Sequence, residues 1–146
     1  MNNNIREFIS DVCKILKIKP PTVKYGADFL TDTTLASYDL QSNTITIKHV
    51  SEQSPELYFS IAHELRHAWQ KQEDPEWFFS NYKDRTELDN DSYNRQFAEI
   101  DANAFAQIVM IDSFHIKPQW NNLPYEIILE IERRADQIAI SYNKGE

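Results

Sequence analysis

The sequence predicts an α+β fold: a small antiparallel sheet of two or three strands packed with a helical bundle. Three observations lead there. Apolar residues recur at helical spacing near both ends of the chain, two central runs alternate with period two, and prolines separate the blocks. The chain has 146 residues and 41% hydrophobic content, enough for one core, so a single domain over residues 1–146 is expected.

The first helix is read from Ile5, Phe8, Ile9, Val12, Cys13 and Leu16, which follow the i, i+3, i+4, i+7 template, and it must stop before Pro20 and Pro21. Thr34–Tyr38 and Thr44–Lys48 carry β-branched and aromatic residues in alternation. Turn residues between Asp39 and Asn43 make an antiparallel hairpin the simplest connection, and the Val23 region offers a third strand.

Ser54-Pro55 opens a second helix, with serine as cap and proline preset for the first turn, running to about Gln72. Glu76 to Asp91 has aromatics but no period and reads as an ordered loop or short helix whose rings anchor it. A long helix is expected from Ser92 to Ser113. Its large residues Phe97, Ile100, Phe105, Ile108 and Ile111 lie opposite Glu99, Ala102, Asn103, Ala106 and Met110. The last helix opens near Pro124 on Ile127, Ile128, Ile131, Ala135 and Ile138, with Glu130 and Arg134 as an i, i+4 pair on its wet side.

Composition removes several function classes. A formal net charge of −8 argues against direct nucleic-acid binding, which needs clustered cations to displace counterions from phosphate. A lone cysteine, Cys13, at a periodic apolar position allows no internal disulfide and suits a reducing compartment. With no apolar run of membrane-spanning length and no signal-like apolar stretch, the expected location is cytoplasmic.

The chemistry concentrates in His63-Glu64-Leu65-Arg66-His67, the pattern HExxH inside the second helix. Imidazoles four residues apart on a helix share a side, so both can bind one Zn²⁺ while the glutamate between them reaches a metal-bound water. A third protein ligand is required, and Glu99 on the alanine-lined face of the long helix is the candidate. Asp101 points about 160° away around that helix, so it cannot easily serve the same metal and is expected in an ion pair at the helix margin. Asn103, one turn beyond Glu99, is placed to hydrogen-bond a ligand histidine.

With three ligands in place, zinc lowers the pKa of its water and polarises a peptide carbonyl, and Glu64 serves as general base. Tyr93, Arg66 and His115 are candidates for a second electrophile. Arg66 is expected to be exposed or ion-paired, since a bare cation beside a dication is unfavourable. His49 and His115 read as loop or strand-end residues.

Ala62-His-Glu-Leu-Arg-His67 together with Glu99-Ile-Asp-Ala-Asn-Ala-Phe-Ala106 resembles the ImmA/IrrE-like metallopeptidases, whose pattern is a helical HExxH followed by E-x-[E/D/Q]-A-[N/D]-x-F-A. The resemblance spans about Thr34 to Met110. It implies a zincin-like fold of the gluzincin type, with His63, His67 and Glu99 as zinc ligands, Glu64 as catalytic base and Asn103 as a partner behind the ligands. It also implies a protein or peptide substrate, such as a transcriptional repressor of a mobile element or stress response. The chain departs from that pattern at Arg66, where the family usually has glycine, and at Gln107–Ile111, where it usually has a leucine-rich run ending in proline. The competing expectation is a zinc-binding regulatory module that docks to a partner without turnover.

Overall fold

Residues 3–26, 34–49 and 53–143 are described in a computed structural model, and they form six helices and three strands. The chain divides into two units, Met1–Glu73 and Asp74–Glu146.

The first unit opens with α1 (Asn3–Leu16). Ile5, Phe8, Ile9, Val12, Cys13 and Leu16 are all buried, as their spacing requires. The helix ends at Lys17, whose φ of 58° is left-handed, so that Ile18 N–H reaches Cys13 O at 3.1 Å. Glycine would adopt that φ without a Cβ penalty, and here a lysine does so.

Three strands follow, β1 (Thr22–Tyr25), β2 (Ala36–Asp39) and β3 (Thr44–Ile47), in the order β1-β3-β2. The expected hairpin is present: β2 and β3 pair antiparallel with Tyr38 opposite Ile45. The third strand corrects the expectation of an antiparallel sheet. β1 joins the other side of β3 and runs parallel to it, making the sheet mixed. Tight turns dictate antiparallel pairing only for β2 and β3, whereas β1 is separated from both by a long connection that leaves its direction open.

Ala36, Ile45 and Ile47 fill the sheet's inner face, and α2 (Pro55–Glu73) packs on β2 and on α1. Ser54 caps it, its Oγ accepting from Leu57 N–H at 3.3 Å. Leu57, Ile61, Leu65 and Ala68 are fully buried on its core side, and Phe8 of α1 meets Tyr58 edge-on at 5.0 Å.

The second unit is helical. Asp74 caps α3 (Pro75–Phe79), accepting from Trp77 N–H at 3.1 Å. The long helix expected from Ser92 is in fact two, α4 (Asn90–Arg95) and α5 (Phe97–Phe114). Gln96 breaks it with ψ of 140°. Its side chain closes a two-bond clamp on Lys83, accepting from Lys83 N–H at 2.7 Å and donating to Lys83 O at 2.9 Å. Side-chain–backbone bonding of this kind competes with helix continuation.

From Ala98 to Gln107 every residue of α5 is buried, which the two-faced pattern of large and small residues foreshadowed, while Phe97 and Ile111 are partly exposed. α6 (Tyr125–Asn143) packs along α5 through Ile127, Ile131, Ala135 and Ile138. Two charges differ from expectation. Arg134 turns to Asp101 at 2.7 Å rather than to Glu130, which pairs with Arg133 at 2.7 Å. Asp101 is wholly buried, not at the helix margin, because the Arg134 guanidinium reaches in to neutralise it. Among the described residues no helix is long and apolar enough to cross a membrane.

Candidate metal centre

α2 carries the HExxH residues. Packing of Leu57, Ile61 and Leu65 into the core fixes the helix's rotation, and this leaves His63 half-buried and His67 buried at its side. Their rings meet edge-on with centroids 4.8 Å apart and their Nε2 atoms only 3.2 Å apart. Tetrahedral zinc with bonds of about 2.0–2.1 Å holds neighbouring nitrogens about 3.3–3.4 Å apart, so the two imidazoles already stand close to one edge of that tetrahedron.

The tautomer of His67 is set by a residue the sequence reading passed over. Gln70, fully buried one turn along α2, places Oε1 2.8 Å from His67 Nδ1. An amide oxygen there accepts from Nδ1–H and leaves the Nε2 lone pair available for a cation. The i, i+3 spacing of His67 and Gln70 was visible. Its meaning was hidden because a glutamine near a helix end ordinarily reads as solvated.

Glu64 is held from the sheet. Its Oε1 accepts from Tyr38 N–H on β2 at 2.9 Å, and its Oε2 lies 3.6 Å from His63 Nε2. Tyr38 is itself tied to the hairpin turn, its hydroxyl donating to Asn43 Oδ1 at 2.6 Å, and burial pushes that phenol up to about 12. A carboxylate anchored through one oxygen keeps the other beside the histidines, the disposition a general base needs.

Of the two states expected for Arg66, exposed or ion-paired, exposure is not what the structure shows. It is buried, with its guanidinium 3.6 Å above the Trp69 ring, so its charge is spread over an aromatic face. His49 is exposed beyond β3.

In the second unit, Glu99 sits in the first turn of α5 and is 1% exposed. Tyr82 donates its hydroxyl to Glu99 Oε2 at 2.7 Å and stands 3.0 Å from the Tyr93 hydroxyl. Because Tyr82 has one proton to give and gives it to the carboxylate, the Tyr93 hydroxyl donates to Tyr82 in turn. Burial first, then the Glu99 charge, raises the Tyr82 pKa far above the ordinary phenol range. One Glu99 oxygen, Oε2, is thereby held by a phenol donor. From sequence, Tyr82 is one of several aromatics in a stretch without period, expected to anchor the connection or to line a groove.

Asn103 lies one turn further along α5, buried, and Asp101 is committed to Arg134. His115 caps the far end of α5, exposed and left-handed at φ 57°. Sixteen residues of helix separate it from Glu99, about 24 Å, which removes it as a second electrophile beside that carboxylate.

Residues 19–140 match the family model of the IrrE N-terminal-like domain, peptidase family M78. The chain belongs to this family. The match runs through both the HExxH helix and the Glu99 helix, and M78 membership supports a metallopeptidase type of function acting on protein substrates. No curated protein and no solved structure matches the chain.

Proposed function

We propose that this M78 chain is a zinc-dependent endopeptidase, acting as one metallopeptidase domain in the cytoplasm, in which His63, His67 and Glu99 hold the metal and Glu64 is the general base. The observation that carries the reading is the pair of Nε2 atoms 3.2 Å apart with the Nδ1–H of His67 engaged by Gln70. Two imidazoles and one carboxylate, each offering one ligand atom, make the donor set of a catalytic zinc site with one open position. Asn103 is proposed as a hydrogen-bond partner of a ligand histidine.

Zinc, when bound, supplies a polarised carbonyl and an acidified water. The chain's own residues do the rest. Glu64, steadied by Tyr38 N–H, takes a proton at Oε2 and passes it to the departing amine. Gln70 and Tyr82 orient the ligands from behind. The substrate is a protein, and a repressor of a mobile element or stress response is the substrate class we propose.

Glu64→Gln is the deciding variant. It should keep stoichiometric zinc and lose proteolysis by at least about a hundredfold. Full zinc with undiminished cleavage would refute the assignment of Glu64, and stoichiometric metal with no turnover by the wild type would favour the docking-module alternative.

A further inference from the structure

The second unit contains a cavity of about 310 Å³ whose lining is unusual in composition. Six of its eight lining residues are asparagine or glutamine, the other two are Trp120 and Leu123, and none is charged. A volume of this size suits a small ligand or one side chain with its backbone.

The walls are fastened from several elements. Asn90 of α4 donates to Asn122 O at 3.3 Å, tying α4 to the segment before α6. Trp120 donates its indole N–H to Gln107 of α5 at 3.2 Å, which fixes the plane of its ring. Asn94, nine-tenths buried, gives its amide N–H to Asn90 O at 2.8 Å, and among the described residues its Oδ1 receives no protein donor. Asn94 thus stands on the lining with its amide nitrogen fastened to Asn90 and its oxygen an acceptor that no donor among the described residues uses.

Asn103 connects this cavity to the chemistry. It lines the wall and stands on α5 one turn beyond Glu99, about 6 Å along the helix axis. An extended peptide advances about 3.3 Å per residue, so a side chain in the cavity belongs to a residue within two positions of the bond over Glu99.

We propose that this cavity is a specificity pocket for an uncharged carboxamide side chain, glutamine or asparagine, of the peptide substrate. The assignment rests on the endopeptidase reading for its substrate, although the pocket itself can be tested without turnover. A primary amide has two donors and an acceptor and can answer a lining of amides in both directions. A carboxylate has no donor when ionised and meets no cation in this lining. An ammonium has no acceptor, and an apolar side chain makes no hydrogen bond to the Asn94 oxygen. Trp120 supplies the flat surface against which the methylene stem lies.

The test uses the full-length zinc-loaded chain, ¹⁵N-labelled, with the Trp120 indole N–H as reporter, assigned by its loss in Trp120→Phe. N-acetylglutamine methylamide should shift that signal saturably. The glutamate and norleucine counterparts should bind at least about tenfold more weakly. Asn121→Leu, an exposed position on the lining, should erase the preference while the folded spectrum is retained. Equal shifts with all three probes, no shift, or saturation only by N-acetylglucosamine would overturn the pocket. In parallel, the wild type is given a peptide mixture randomised around a central bond. Cleavage with no glutamine or asparagine preference overturns the pocket and leaves the endopeptidase reading standing. A selective indole shift with no cleaved peptide sustains the pocket and sinks that reading.

Discussion

Replacing Gln70 by leucine would remove the acceptor facing His67 Nδ1 while nearly preserving volume. The bond lost is 2.8 Å long and lies between groups that are 0% and 6% exposed, so water cannot readily take the place of the amide oxygen. Two effects follow and are separable. A buried N–H without its acceptor costs about 1–3 kcal/mol of stability in the metal-free protein. Zinc affinity falls by about 10–100-fold, because the ring is no longer held with its Nε2 lone pair outward. That range corresponds to about 1.4–2.7 kcal/mol. Titration of the metal-free protein against a chromophoric zinc chelator at pH 7 reads the affinity, and urea unfolding of the metal-free protein reads the stability. Gln70→Glu restores an acceptor and should bring the affinity back to within about threefold of wild type. If Gln70→Leu loses stability but binds zinc within twofold of wild type, Gln70 is a packing residue and the tautomer argument is wrong.

Three further outcomes are expected. Tyr82→Phe, which keeps the ring against Phe79 and deletes the hydroxyl that bonds Glu99 Oε2 and Tyr93, should weaken zinc binding about tenfold in the same chelator titration. Arg134→Met should lower stability by about 2–4 kcal/mol in urea unfolding at pH 7, because Asp101 is left buried without the guanidinium 2.7 Å away, and Asp101→Asn in the same background should recover part of it. Cys13 gives a pH dependence. Burial pushes its thiol up to about 11 from an ordinary 9.0, so the unfolded chain releases its proton first; the contribution is intact below pH 9 and is lost as pH rises toward 11, by about 2–3 kcal/mol at most. Urea midpoints of wild type should therefore fall more steeply than those of Cys13→Ala between pH 8 and 11, and parallel curves would contradict this.

Elements that obey local rules were legible. The spacing of Ile5 to Leu16, the Ser54-Pro55 helix start and the Asp39–Asn43 turn each act within a few residues, and each appears where the sequence puts it. What sequence could not deliver depends on long-range partners. The direction of β1 follows from pairing across a long connection, and the helix break at Gln96 follows from an anchor thirteen residues away at Lys83. Around the candidate centre, the histidine pair and Glu99 announce themselves through motif spacing. Their supports, Gln70 and Tyr82, do not, since an amide and a phenol acquire meaning only from what burial places beside them. The burial of Arg66 was hidden for the same reason: a cation over an indole looks like any other arginine in one dimension.

The bond from Tyr38 N–H to Glu64 makes strand register a determinant of where that carboxylate stands. Tyr38 stands opposite Ile45, and a slip of one position would bring a neighbouring residue there and turn its amide to the other edge of the strand. What holds the count is the turn. Asn43 sits in the left-handed region at φ 52° and accepts the Tyr38 hydroxyl, so a single inserted residue between Asp39 and Asn43 would move the anchor of Glu64 without altering any residue of HExxH. In this chain the fidelity of a four-residue hairpin loop, residues 40–43, is a tolerance on the position of the carboxylate, and loop length there is as constrained as the identity of the histidines.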